Sequence, residues 1–310
     1  MVKPMHLPKS ETELTEKLRR LAVVPRGSGV VAGIGDDCAI FRLRNSAEDL
    51  LFTTDLLIEN THFRRATHGA ADIGWKALAR GLSDIAAMGG EPRFCLVSLA
   101  LGPWCDGRWV DGFFRGLLLL AGRTGTVLAG GDLSHGATVA CDVVVAGAVP
   151  RGAALGRDGA HTGDAIYVSG ALGGSALGLA TGRGKAWRRH LRPEPRLALG
   201  RFLRETAHAT AAMDLSDGLS LDLARLGKAS GLGAEIAAPP IWPGATLEQA
   251  LDGGEDYELL FTASPRSPVP DWFECVPIAR IGTMRRGRAG KVMLNGQPLA
   301  PGGYDHFRVK

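Results

Sequence analysis

The chain has 310 residues, 45% of them hydrophobic and 22% charged, with a formal charge of +4. That length suggests two domains with real cores, and the composition excludes disordered and fibrous classes. The 43 glycines follow no three-residue period, which sets collagen aside and assigns them to turns and ligand-approach loops. In chain order, residues 10–21 read as a helix with Ser10 as N-cap and Glu13 completing a capping box. No apolar leader precedes it, so no secretory signal is expected. Strand-like runs follow at 30–34, 38–43 and 50–58, then a helix over 71–88 that Gly89, Gly90 and Pro92 stop. A strand at 95–101, a helix at 109–122, a short strand at 127–129 and a β-rich run at 139–149 complete the first half.

Pro150-Arg151-Gly152 reads as a domain boundary, giving domains of 1–150 and 151–310. Beyond it come a strand at 165–169, a glycine loop, helices at 174–181 and 195–207, a strand at 211–215 and a helix at 218–230 capped by Gly231. Strands at 257–262 and 276–282 and a β-rich tail end the chain. Alternating strands and helices in both halves imply α/β (α+β) layers of sheet and helix. The positive excess crowds two stretches, Arg183 to Arg196 and Arg285 to Arg288, which read as solvated segments. Nucleic-acid binding would add stacking aromatics or a recognised motif, so no nucleic-acid partner is expected. Apolar runs are too short and too broken by glycine to span a bilayer, so no membrane partner is expected either. Five cysteines without CxxC or zinc spacing read as reduced thiols in a cytoplasmic protein.

Chemistry concentrates in acidic loops. Asp36 and Asp37 follow a glycine; Asp55 follows Thr53 and Thr54 where a strand ends or is interrupted; Asp132 follows Gly130-Gly131; Asp214 and Asp217 bracket Ser216; Glu255 and Asp256 follow Gly253-Gly254. Asp84 lies in a helix, four residues after Arg80, where an ordinary helical ion pair explains it. Ser216 and Asp217 likewise suit a helix N-terminus as N-cap and first-turn acid. Taken together, strand-end aspartates in a net basic chain point to hard cations, and Mg²⁺ prefers carboxylates together with substrate phosphates. No GxxxxGK[ST] is present, and the GxGxxA at 27–32 lacks the strand and helix a dinucleotide fingerprint needs. The glycine loop 170–175 is better placed to offer amides to a phosphate.

GIGDDCAIF, TTDLLIENTHF, KALARGLSDIAAMGGEP, GGDLSHG, HLRPEPR, MDLSDGLSLDL, GGEDYELLFT and GYDHF run from Gly33 to Phe307. In order and spacing they resemble thiamine-monophosphate kinases, within the aminoimidazole ribonucleotide synthetase-like superfamily. The resemblance implies an N-terminal half-barrel sheet that binds ATP and Mg²⁺ and dimerises, and a C-terminal α/β sandwich. It implies ATP-dependent phosphorylation of thiamine monophosphate by a Mg²⁺-dependent homodimer without a P-loop. On the matching motifs, Asp37, Thr53, Thr54, Asp55, Asp84, Asp132, Asp214 and Asp217 fall on metal ligands. Catalysis is assigned, through bound Mg²⁺, to Asp37, Asp55, Asp84, Asp132 and Asp214. Gly131, Asp132, Arg157 and Ser216 fall on ATP contacts, and His62, Glu255 and Tyr304 on thiamine monophosphate contacts. Two departures stand out: Leu133-Ser134 where the family has two threonines, and Gly81 where it has asparagine.

Overall fold

The computed structural model describes residues 10–307; residues 1–9, part of the stretch on which the absence of a leader was read, lie outside them. Helix α1 (Glu11–Leu21) begins as expected, with Ser10 Oγ accepting from the Glu13 amide. Strands β1 (Val30–Ala32), β2 (Ala39–Arg42) and β3 (Glu48–Ile58) lead to α2 (Ala70–Ala87), then β4 (Glu91–Leu101), α3 (Gly107–Thr124), β5 (Val127–His135) and β6 (Ala140–Pro150). These six strands form one open sheet in the order β1-β2-β3-β6-β4-β5, antiparallel except for the parallel β4–β5 pair. It is no closed barrel. The order is not sequential because β6 inserts between β3 and β4.

Alternation along β3 decides which face is covered. Leu51 and Leu57 join Val97, Val143 and Val145 under α2 and α3. Leu50, Phe52, Thr54 and Leu56 alternate to the other face, where Leu56 is 49% exposed. Helix α2 is buried on nearly every side, against α3, the sheet and a helix of the second half. Such burial requires close backbones. A Cβ on Gly74 would stand 1.9 Å from the Phe113 carbonyl oxygen, and one on Gly116 1.8 Å from that of Ala71. Gly81 has a local reason of the same kind, since a Cβ there would meet Val145 Cγ2 at 2.7 Å.

The second half starts with β7 (Ala165–Ser169) and three helices, α4 (Gly174–Thr181), α5 (Gly184–Leu191) and α6 (Leu197–Glu205). It continues with β8 (Ala211–Asp214), α7 (Leu219–Ala229), β9 (Gly233–Ile236), α8 (Leu247–Asp252) and β10 (Leu259–Ala263). Strands β11 (Trp272–Phe273), β12 (Val276–Arg285), β13 (Val292–Leu294) and β14 (Gln297–Leu299) close it. Together the strands make an eight-stranded sheet in the order β14-β13-β9-β12-β7-β10-β8, with β11 paired to β12. Leu219, Leu223 and Leu226 of α7 pack on one face of it, and Leu199 and Leu203 of α6 on the other. That is the expected sandwich.

The basic stretch differs from its reading as a solvated segment. Arg189 and Arg196 both reach the buried Glu258 carboxylate at 2.5 Å, and Arg192 pairs with Asp72 of α2 at 2.5 Å. Half of that stretch therefore supplies internal counter-charge, whereas Arg285, Arg286 and Arg288 are exposed as read. The sheets meet along α2: Trp75 Nε1 donates to the Pro193 carbonyl at 2.8 Å, and Ala86 and Ala87 join the cluster beneath α6. A Cβ on Gly200 of α6 would stand 2.0 Å from the Ala86 carbonyl oxygen, so this junction is a backbone-to-backbone contact.

Candidate active site

A cleft of about 340 Å³ opens where α2 meets the ends of β8 and β10. Asp37 comes from the turn before β2, Asp84 from the last turns of α2, and Asp214 from the end of β8. One carboxylate oxygen from each lies within 4.8 Å of the others. Asp84 accepts from Thr53 Oγ1 at 2.5 Å and Asp214 from Ser83 Oγ at 2.7 Å, so two hydroxyls aim the acids without neutralising them. Burial, followed by mutual repulsion among these aspartates, pushes the pKa values of Asp84 and Asp214 well above the usual carboxylate range. Asp36, beside Asp37, is raised to about 7 by burial and by its neighbour's charge.

Asp37 and two further candidate acids meet arginines. Arg157 reaches Asp37 with Nη2 at 2.5 Å and Nε at 3.3 Å, while its amide donates to Asp36 at 3.1 Å. Arg80 pairs with Asp55, not with Asp84 as the helical spacing suggested, at 2.6 Å. Arg225 pairs with Asp217 and with the buried Asp222, the latter at 3.1 Å. Asp55 is also mid-strand in β3 rather than at a strand end.

Thr53 and Asp55 face the cleft side by alternation. Thr54 lines the cleft but gives its hydroxyl to Asp142 across the sheet at 2.5 Å. Ser216 lines the cleft without capping a helix: α7 starts at Leu219 with Gly218 as N-cap, and Asp222 accepts from the Asp217 and Gly218 amides at 3.1 and 3.0 Å. Asp217 therefore precedes the helix.

The far end of the cleft holds His62, Glu255, Tyr257, Tyr304 and His306. Glu255 takes a left-handed backbone with φ 55° after Gly254. Its Oε1 lies 2.8 Å from the Nζ of Lys76, which is 1% exposed and has no other partner among the described residues. Its Oε2 lies 3.4 Å from His190 Nδ1. Burial opposes the Glu255 charge, but Lys76 and His190 outweigh it and hold the pKa down to about 2. Burial and the Arg80 charge push His62 down to about 4, so its ring is neutral near pH 7.

Gly131 and Asp132 are not brought to this cleft. They lie within β5, the exposed edge strand, with Leu133 beside them 63% exposed. Gly131 has a structural reason to be glycine, because a Cβ there would stand 1.9 Å from the Val97 carbonyl oxygen. The glycine loop before α4 is no open phosphate cradle either: Asp256 occupies the Gly173 and Ser175 amides at 2.6 and 3.1 Å. Sequence reasoning missed Lys76, His190 and Tyr257, and it gave Arg80 the wrong partner. Only GGEDYE, flanking Glu255 and Tyr257, carried a local signal.

Residues 35–151 match the family model of the AIR synthase related protein, N-terminal domain. The thiamine-monophosphate kinase of Salmonella typhimurium is 38% identical over 306 residues, 90% of this chain and 92% of that protein. The chain belongs to the thiamine-monophosphate kinase family. The Bacillus subtilis member is 34% identical, covering 91% of this chain and 95% of its own length. A solved structure described as AaThiL complexed with AMPPCP and TMP superposes with TM-score 0.85 at 30% identity, covering 98% of this chain and 99% of that one. The hydrogenase maturation protein HypE in complex with ATP, 18% identical with TM-score 0.67, shares the fold over 86% of this chain and 88% of its own.

Proposed function

We propose that the protein transfers the γ-phosphoryl group of ATP to thiamine monophosphate, giving thiamine diphosphate. The observation that carries this reading is the convergence of Asp37, Asp84 and Asp214 in a family member whose kinase motifs run the length of the chain. Three oxygen donors, two of them raised in pKa by burial and by the charge of neighbouring aspartates, suit a hard divalent metal such as Mg²⁺. Asp37, Asp84 and Asp214 would hold it, with Thr53, Asp55 and Asp217 at the margin and Thr54 as a neutral oxygen. When bound, Mg²⁺ supplies charge neutralisation to phosphoryl oxygens.

The acceptor is itself a phosphate with a second pKa of about 6, so it arrives near pH 7 largely as a dianion. No side chain has to remove a proton from it, and the cleft imidazole of His62 is neutral and suited to contact rather than charge. The task left to the residues is to bring two anions together and hold them in line. Arg157, fixed by Asp37 through Nε and Nη2, has its charge and its Nη1 to offer the ATP phosphates, and Ser216 a hydroxyl. Glu255 is held fully charged by Lys76, which suits the cationic ring of thiamine, and Tyr304 closes that end.

Gly131 and Asp132 remain nucleotide and metal candidates. Their place on an open strand edge supports a role at a boundary between two copies of the chain. The half-exposed apolar face of the first sheet, with Leu56 and Phe52, supports the same homodimer. We place the domain division at 150/151, where β6 ends and the first sheet is complete. We place the protein in the cytoplasm: no described helix is long and apolar enough to cross a membrane, and all five cysteines are free.

A mass-spectrometric assay with ATP, Mg²⁺ and thiamine monophosphate, against free thiamine, tests the reading. Thiamine diphosphate is expected from the monophosphate alone and none in EDTA. Product from free thiamine, or turnover untouched by EDTA, would overturn it.

A further inference from the structure

Arg80 is a cleft cation whose place on its helix does not set its partner. It sits on α2 one turn before Asp84, yet its side chain turns to β3, where Nη2 donates to Asp55 Oδ1 at 2.6 Å and Nη1 to the Leu56 carbonyl at 3.2 Å. The side chain is 13% exposed, lines the cleft, and leaves its buried Nε–H without a partner. Arg189 has an equally idle buried Nε–H, so that feature alone does not set Arg80 apart; its place does, because Arg80 lines an acid-rich cleft and lies against one of the cleft's carboxylates. The nearby acids have other partners: Glu255 has Lys76, and Asp84 has Thr53. Asp55 alone depends on Arg80.

We propose that Arg80 is a resident counter-cation that competes with divalent metal for Asp55. The inference rests on the reading of the cleft as a metal and phosphate site, and goes beyond it. A metal ion approaching Asp55 is opposed by the guanidinium on the same carboxylate, because two cations a few ångströms apart repel in a partly buried site. A phosphate entering the cleft offers the planar guanidinium a second bidentate partner. Metal uptake at Asp55 and the arrival of a phosphate thereby become linked through one side chain.

The test is Mn²⁺ binding to the purified full-length protein without nucleotide, followed by the electron paramagnetic resonance of free Mn²⁺. Arg80→Gln is expected to tighten Mn²⁺ binding at least about ten-fold. Adding Asp55→Asn to that variant should cancel the gain, and Arg80→Lys, which keeps the charge, should stay near the intact chain. An unchanged isotherm in a folded Arg80→Gln protein overturns the inference, and so does a gain that survives Asp55→Asn. If Arg80→Gln loses its melting transition, Arg80→Met repeats the test with an apolar chain of similar length. Asp84→Asn serves as the separate control: if it leaves Mn²⁺ binding untouched, the metal reading of the cleft fails, whatever Arg80 does.

Discussion

Asp84 and Asp214 are aimed at one another's neighbourhood by hydroxyls and have no cation of their own, and both titrate well above the ordinary value of 3.8. Because the folded chain binds these protons more tightly than the unfolded one, their contribution to stability is complete below about pH 4 and is lost as pH rises through the raised values. Metal-free protein should therefore melt at a lower temperature at pH 7.5 than at pH 5.5 to the extent that these two groups dominate. Asp214→Asn should flatten that slope and raise the neutral-pH melting point in EDTA, by roughly 2–4 °C for each kcal/mol relieved. The same variant should lose at least about 100-fold in turnover, the scale of removing one preorganised electrostatic contact. Calorimetric scans across pH, paired with the product assay, check both; a neutral-pH melting point that falls instead would show that the acids do not repel. Lys76 gives the opposite case. Removing it leaves the partly buried Glu255 without its main partner, so Lys76→Met should cost about 1–3 kcal/mol. The double variant Lys76→Met/Glu255→Gln should recover much of that loss in denaturant titrations, and equal instability of the two would refute the pairing. Of these residues Asp214 and Glu255 were legible in the sequence, marked by a strand end and a glycine pair, whereas Asp84, inside a helix, stood out only through its motif and Lys76 not at all. Lys76 and Glu255 lie 179 positions apart, and Arg80 met its partner across a helix–strand contact, so no local spacing could announce either pair.

At the scale of elements, the long periodic segments were legible and the short ones were not. Helices over 71–88 and 109–122 match α2 and α3 to within a few residues, since their apolar stripes run for several turns. Strand β9, four residues between a glycine turn and two prolines, had no room for alternation to register. Helix α5 was hidden by its arginines, although Ala186 and His190 bury one helical turn apart. Helix α8 spans six residues, and its Thr246–Gln249 capping box was a signal available but unread. Strand order was not legible, because the pairing of β6 between β3 and β4 joins segments remote in sequence. What the glycines do at element contacts is testable. Gly116→Ala would push α3 from α2 and should destabilise by about 1–3 kcal/mol or more, the cost of overpacking. Gly122→Ala, on the same helix with nothing within 4 Å, should be neutral or slightly stabilising by comparison. Equal melting points for the two would show that α2 and α3 are not in backbone contact.

For the whole molecule, the half-exposed sheet face and the bare β5 edge make a specific claim about assembly. Placing a charge at Leu56 and at Leu96, both on that face by alternation, should shift sedimentation velocity from dimer to monomer, with circular dichroism unchanged. A wild-type protein that sediments as a monomer at micromolar concentration would dismiss the homodimer outright. The cleft adds a second point about the molecule as a single object. Asp84 rides on a helix of the first sheet's layer and Asp214 ends a strand of the second, with the Ser83 hydroxyl reaching from one to the other. Their spacing is thus not set within either half but by how the halves seat on α2. A divalent ion shared between them would act as a rivet through the joint, so that loading the site and securing the junction along α2 are one event. Protease resistance at the linker between the sheets then becomes a readout of ion occupancy, with no substrate turned over at all.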